Sequence, residues 1–142
     1  MWADTLLRAE QQHLIRLLFW AGLSIIAATC IIAMIAVRRL RSPLLGHFAA
    51  QMAVWGTIIG AIAMVEWHAA KLRDVSGAAR LERLLWMNIG LDAGYVFAGC
   101  TLVACAWLLA RRMAAVGAGV GIVVQGLALL LIDLQFAAVI SR

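Results

Sequence analysis

Long apolar blocks, not short alternations, set the pattern of this chain. Residues Leu17 to Val37 contain no charged side chain. A helix of that length, at 1.5 Å rise per residue, covers about 31 Å, the depth of a bilayer's hydrocarbon layer. Further apolar blocks run over about 44–67, 84–110 and 118–140. Arg38-Arg39-Leu40-Arg41 and Arg111-Arg112 interrupt them tightly, and His68 to Arg83 forms the one sizeable polar connection. The pattern predicts an all-α polytopic membrane protein: one domain, 1–142, folded as an up-down-up-down bundle of four transmembrane helices. Ahead of the first span, Met1 to Arg16 reads as a short interfacial helix, with Trp2, Leu6, Ala9 and His13 on one stripe. Ser42-Pro43 supplies an N-cap and first-turn residue for the second span. The link at Arg111-Arg112 is so short that the last two spans must form an antiparallel hairpin.

Composition supports this reading. Of 142 residues, 65% are hydrophobic and 13% charged, whereas a soluble domain is roughly half apolar. One core of this size could not hide so much apolar surface from water. The net charge of +5 comes from arginines grouped at the ends of apolar blocks, the pattern of membrane anchoring and topology and not of a nucleic-acid face. Five tryptophans, Trp2, Trp20, Trp67, Trp86 and Trp107, fall near span ends as an aromatic belt; Trp55 lies mid-span as a packing residue. Cys30, Cys100 and Cys105 form no C-x-x-C pair and read as small core residues. Glycines at Gly56/Gly60 and Gly90/Gly94, joined by Ala98, mark faces for close helix approach; Gly121 and Gly126 add to these, and Gly117, Gly119 and Gly121 loosen the start of span four.

Polar groups inside the spans are the candidate chemistry, because ionisable side chains are expensive in lipid. Asn88, Asp92 and Tyr95 share a helix face by their i, i+4, i+7 spacing. With span three centred near Phe97 and span four near Leu129, Asp92 and Asp133 fall about 7 Å and about 6 Å from the midplane, on one side. They are therefore expected to meet at one depth, with Asn88, Tyr95, Gln125 and Glu66 completing a polar intramembrane cluster. Two such carboxyls need a proton or a cation between them, or else they serve only to hydrogen-bond helices together. His13 and His68 lie toward the same surface, and a metal or haem shared by them is a weaker possibility. No P-loop, HExxH or nucleophile–base pair is present, so neither catalysis nor a cofactor is expected.

Three segments carry a family resemblance. They are His47 through Trp55-Gly56, Asn88-Ile89-Gly90-Leu91-Asp92-Ala93-Gly94-Tyr95, and Gly119 through Gln125-Gly126-Leu127 to Asp133-Leu134. Together they resemble a family of small bacterial four-helix membrane proteins of unknown function. In that pattern an Asn often follows Trp-Gly by three residues; Ile59 stands there in this chain, which implies a poorer polar cluster. The leading expectation is a non-catalytic inner-membrane subunit or scaffold, packed by its glycine faces against itself or a larger membrane complex. The alternatives are a small proton- or cation-coupled transporter using Asp92 and Asp133, and a membrane redox subunit using His13 and His68. Lipid is the expected surrounding, nucleic acid is not an expected partner, and the Arg38–Arg41 and Arg111-Arg112 turns are placed in the cytoplasm.

Overall fold

A computed structural model describes residues 2–141, apart from the side chains of Trp2 and Ala110; the expected role of Trp2 lies outside what it describes. Four helices make up the fold: α1 (Trp2–Arg38), α2 (Pro43–Ala69), α3 (Val75–Cys105) and α4 (Met113–Ile140). A five-residue π-helical segment, Ala106–Ala110, extends α3. All four are long and apolar enough to cross a membrane. No glycine or proline lies near the Arg16–Leu17 junction to stop a helix, so the expected interfacial stretch and the first span form one continuous element.

α1, α2 and α3 each bury a seam at alternating three- and four-residue steps or their sum, the spacing that keeps one stripe facing a neighbour. In α1 the seam is Glu10, Leu14, Leu17, Ala21, Ser24 and Ala28. In α2 it is Ala49, Met52, Gly56, Ile59 and Ala63. The seam of α3 runs through Leu85, Ile89, Asp92 and Gly99, so a carboxyl occupies a core position. Small residues on these seams let backbones approach closely, which is what drives helix association where lipid removes the hydrophobic force.

α4 is the central element. It packs along α3 and α2 and also touches α1, while α1 pairs with α2; α2 and α3 make no close backbone approach. At the end of the bundle holding the tight turns the packing is dense. A Cβ on Gly117 would fall within 2.8 and 2.9 Å of the Leu44 carbonyl carbon and Cα. Gly99 and Gly119 face one another's backbones, and Gly121 lies against Gln51. These α4 glycines are contact points in regular helix, and do not loosen it as expected. Gly56 and Gly60 pack on Ala21 of α1, and Gly126 on Asp92 and Val96. Gly90 and Gly94 depart from expectation: nothing lies within 4 Å of either, because their face of α3 points outward. The cysteines are also exposed on outer helix faces and are not core residues.

Both tight turns end a helix on an arginine in the left-handed region, Arg39 (φ 48°) and Arg111 (φ 46°). Such a residue releases the last carbonyls to new partners: Leu40 N–H donates to Ile35 O and Arg112 N–H to Ala106 O, each at 3.0 Å. At the other end, Asp74 caps α3 by accepting from Gly77 N–H (2.8 Å) and Ser76 Oγ (2.9 Å). These two bonds hold the Asp74 carboxyl below the usual range.

Candidate functional site: a carboxylate cleft between α2 and α3

Because α2 and α3 stand apart, a cavity of about 200 Å³ opens between them, floored by α4 and α1. Its polar wall comprises Asp92, Asp133, Glu66, Asn88, His13 and Tyr95. A second cavity, about 140 Å³, shares His13, Glu66 and Asn88 with the first and leads toward the 70–74 loop. It adds Glu10, Arg73 and Arg80 to the lining. The two form one vestibule that reaches from the long-loop end into the bundle.

Asp92 and Asp133 are each 5% exposed and line the inner cavity together. They do not share one depth. Gly126 sits against the Asp92 carbonyl and the Val96 amide, 3.1 Å each, and Asp133 lies seven residues further along α4. The axial stagger is about 7 Å. Equal depth follows only for spans beginning at 84 and 118, whereas the helices begin at Val75 and Met113. Both Cβ atoms tilt toward their own helix N-terminus, and in antiparallel helices this leans the two carboxyls toward each other.

Asp92 Oδ2 is buried and has no hydrogen-bond partner. No bond among the described residues joins Asp92 to Asn88, Tyr95 or Gln125. Asn88, Tyr95 and Glu66 line the cleft from more exposed positions. Gln125 belongs to a separate centre deeper in the bundle. It accepts from Trp20 Nε1 (2.7 Å) and donates Nε2 to Ser24 Oγ (3.0 Å) and Met52 Sδ (3.3 Å), tying α1, α2 and α4 together. Trp20 is thus an interior donor and not a belt residue. Trp55 is more than packing: its ring meets Tyr95 edge-on at 5.1 Å and walls the inner end of the cleft.

His13 approaches Asp133, with Nε2 3.6 Å from Oδ1, and stacks on Phe136 at 4.5 Å; its Nδ1 is buried without a partner. His68 lines neither cavity. Its ring N–H turns back to the Met64 carbonyl at 2.7 Å, so the two histidines are not brought to one cavity. Among the described residues no group of three or more His, Cys, Asp or Glu side chains is arranged to hold a metal ion.

Sequence reasoning missed the mouth of the vestibule. Arg73 donates twice to buried Glu10, Nε to Oε2 at 3.1 Å and Nη2 to Oε1 at 2.6 Å, which pins the 70–74 loop onto α1. The hydrogen bond with Glu10 pushes the Arg73 guanidinium further up. Glu10 and Ser24 were findable, since both fall on the three-four seam of α1; the identity of their partners was not.

Residues 16–134 match a family of unknown function (DUF6992). The chain belongs to that family. The DUF6992 match takes in Glu66, Asp92, Tyr95 and Asp133, and begins three residues after His13. A family without an assigned function is what the motif resemblance implied. No curated protein and no solved structure matches the chain.

Proposed function

We propose that this DUF6992 chain is a non-catalytic protein of the bacterial inner membrane that takes a proton or small cation from its long-loop side. Asp92, Asp133 and Glu66 hold it in the cleft. The observation that supports this is Asp92, whose Oδ2 is buried and unpartnered and which lines a cavity together with two further carboxyls. An unsatisfied buried acceptor costs about 1–3 kcal/mol, and a proton or cation delivered there removes that cost. The only basic group on the inner wall is His13, which already approaches Asp133. In this reading the arginine turns at 38–41 and 111–112 face the cytoplasm, so the vestibule opens on the opposite side.

A second reading, a subunit within a homo-oligomer or larger membrane complex, draws on the outer face of α3. Gly56, Gly60, Gly121 and Gly126 are engaged inside the chain, which leaves Gly90 and Gly94 for an outside neighbour. Proteoliposomes loaded with a pH-sensitive dye separate the two. The cation reading expects proton or cation flux under an imposed potential, abolished in D92N/D133N protein of unchanged helicity. Wild-type and doubly substituted vesicles that behave alike would remove it.

A further inference from the structure

The shape and lining of the inner cavity narrow the cation. A cavity of about 150 Å³ accommodates benzene, so the observed volume of about 200 Å³ has room for one aromatic ring and a short charged arm. A bare ion needs far less. The wall is mixed. Trp55, Tyr95, Ile58 and Leu129 give it apolar and aromatic surface, Asp92 lies level with them, and Asp133 and Glu66 lie further toward the long-loop end. Asp92 precedes Tyr95 by three residues, about 4.5 Å of helix rise, which is the reach of an aminomethyl arm. The cleft is also open at its side, because α2 and α3 make no close backbone approach and meet through the rings of Trp55 and Tyr95 at its inner end. A membrane-dissolved amine can therefore enter from the apolar phase as well as from the vestibule.

We infer that the cleft binds a monovalent arylalkylammonium ion, its charge between Asp92 and Asp133 and its ring against Trp55 and Tyr95. The ammonium donates to the Asp92 carboxyl, which has no hydrogen-bond partner among the described residues, and the aromatic wall adds a cation–π and ring contact. This rests on the acids being a cation site, and it adds the identity of the cation.

Calorimetric titration of the detergent-solubilised chain with benzylammonium chloride tests it, with benzyl alcohol and sodium chloride as matched probes. Benzylammonium should bind at least about tenfold more tightly than benzyl alcohol, the difference a charged hydrogen bond supplies. D92N should weaken benzylammonium by at least about tenfold and leave benzyl alcohol unchanged. W55L, which leaves every acid in place, should weaken both. If D92N fails to fold, W55L and the alcohol comparison still decide the matter. Equal binding of alcohol and ammonium would overturn the inference. So would absence of benzylammonium binding in a protein whose vesicles still show Asp92-dependent flux, and that result would leave the simpler cation reading standing.

Discussion

Replacing Gly117 and Gly90 by alanine, one at a time, should give opposite results. In an open helix position Gly→Ala gains about 0.8–1 kcal/mol from backbone propensity. Gly90 is such a position, since a Cβ there meets nothing within 4 Å, so G90A should be more stable by up to that amount. At Gly117 the same methyl would meet the backbone of Leu44, with the carbonyl carbon at 2.8 Å and the carbonyl oxygen nearer still. Backbone cannot rotate out of the way, so the start of α2 must move off α4. Overpacking costs about 1–3 kcal/mol, and a clash with backbone this far inside 3.0 Å belongs to the upper half of that range, about 2–3 kcal/mol. Less the propensity gain, G117A should lose about 1–2 kcal/mol, and the two variants should differ by about 2–3 kcal/mol. Unfolding in mixed micelles of rising dodecyl sulfate fraction, followed by far-ultraviolet circular dichroism, measures both. A G117A protein as stable as wild type would refute the α2–α4 contact. A G90A protein as damaged as G117A would mean that the outer face of α3 is covered in the folded protein.

Three further outcomes follow from the polar contacts. Gln125→Leu leaves Trp20 Nε1 without an acceptor and should cost about 1–2 kcal/mol; with Trp20→Phe added, the double variant should lose less than the sum of the singles in the same unfolding assay. Arg73→Met strands the buried Glu10 carboxylate and should cost about 3 kcal/mol, while Glu10→Leu/Arg73→Met should recover most of it, and melting temperatures of the three proteins check this. The Asp74 cap stabilises most when ionised: its folded pKa is depressed, so its contribution is full above the ordinary value of 3.8 and is lost as pH falls through the lower folded value. Wild type should therefore lose stability over that acid window relative to Asp74→Asn, as read from melting curves across pH.

The span count was legible because hydropathy is a property of contiguous residues, and four blocks of sufficient length leave little choice. The seams were legible for the same reason, since Ala49, Met52, Gly56, Ile59 and Ala63 declare a face by spacing alone. Span starts were less so: the polar stretch before Leu84 suggests helix only from Ala78 and a span only from 84, yet Asp74 caps the helix from Val75, and that error carries into the depth of Asp92. Partner choice was hidden. Gln125 was assigned to the acids through shared polarity, but it bonds Trp20 and Ser24, more than 100 residues away in the chain. Whether a given seam position faces a neighbour depends on which helices adjoin. Gly90 and Gly94 have the spacing of a contact face and no neighbour, because α3 adjoins α4 and not α2.

The uneven distribution of glycine contacts has a mechanical consequence. α2 and α3 are each fastened to α4 toward the arginine-turn end, through Leu44–Gly117 and Gly99–Gly119. At the far end the 70–74 loop joins them directly, and Arg73 ties that loop to Glu10 of α1. The molecule is built like a buttonhole stitched at both ends, with its slack in the middle, where no close backbone approach spans α2 and α3. The Arg73–Glu10 pair is the stitch that can be undone, and undoing it lets the long-loop end of the cleft widen while the welded end stays shut.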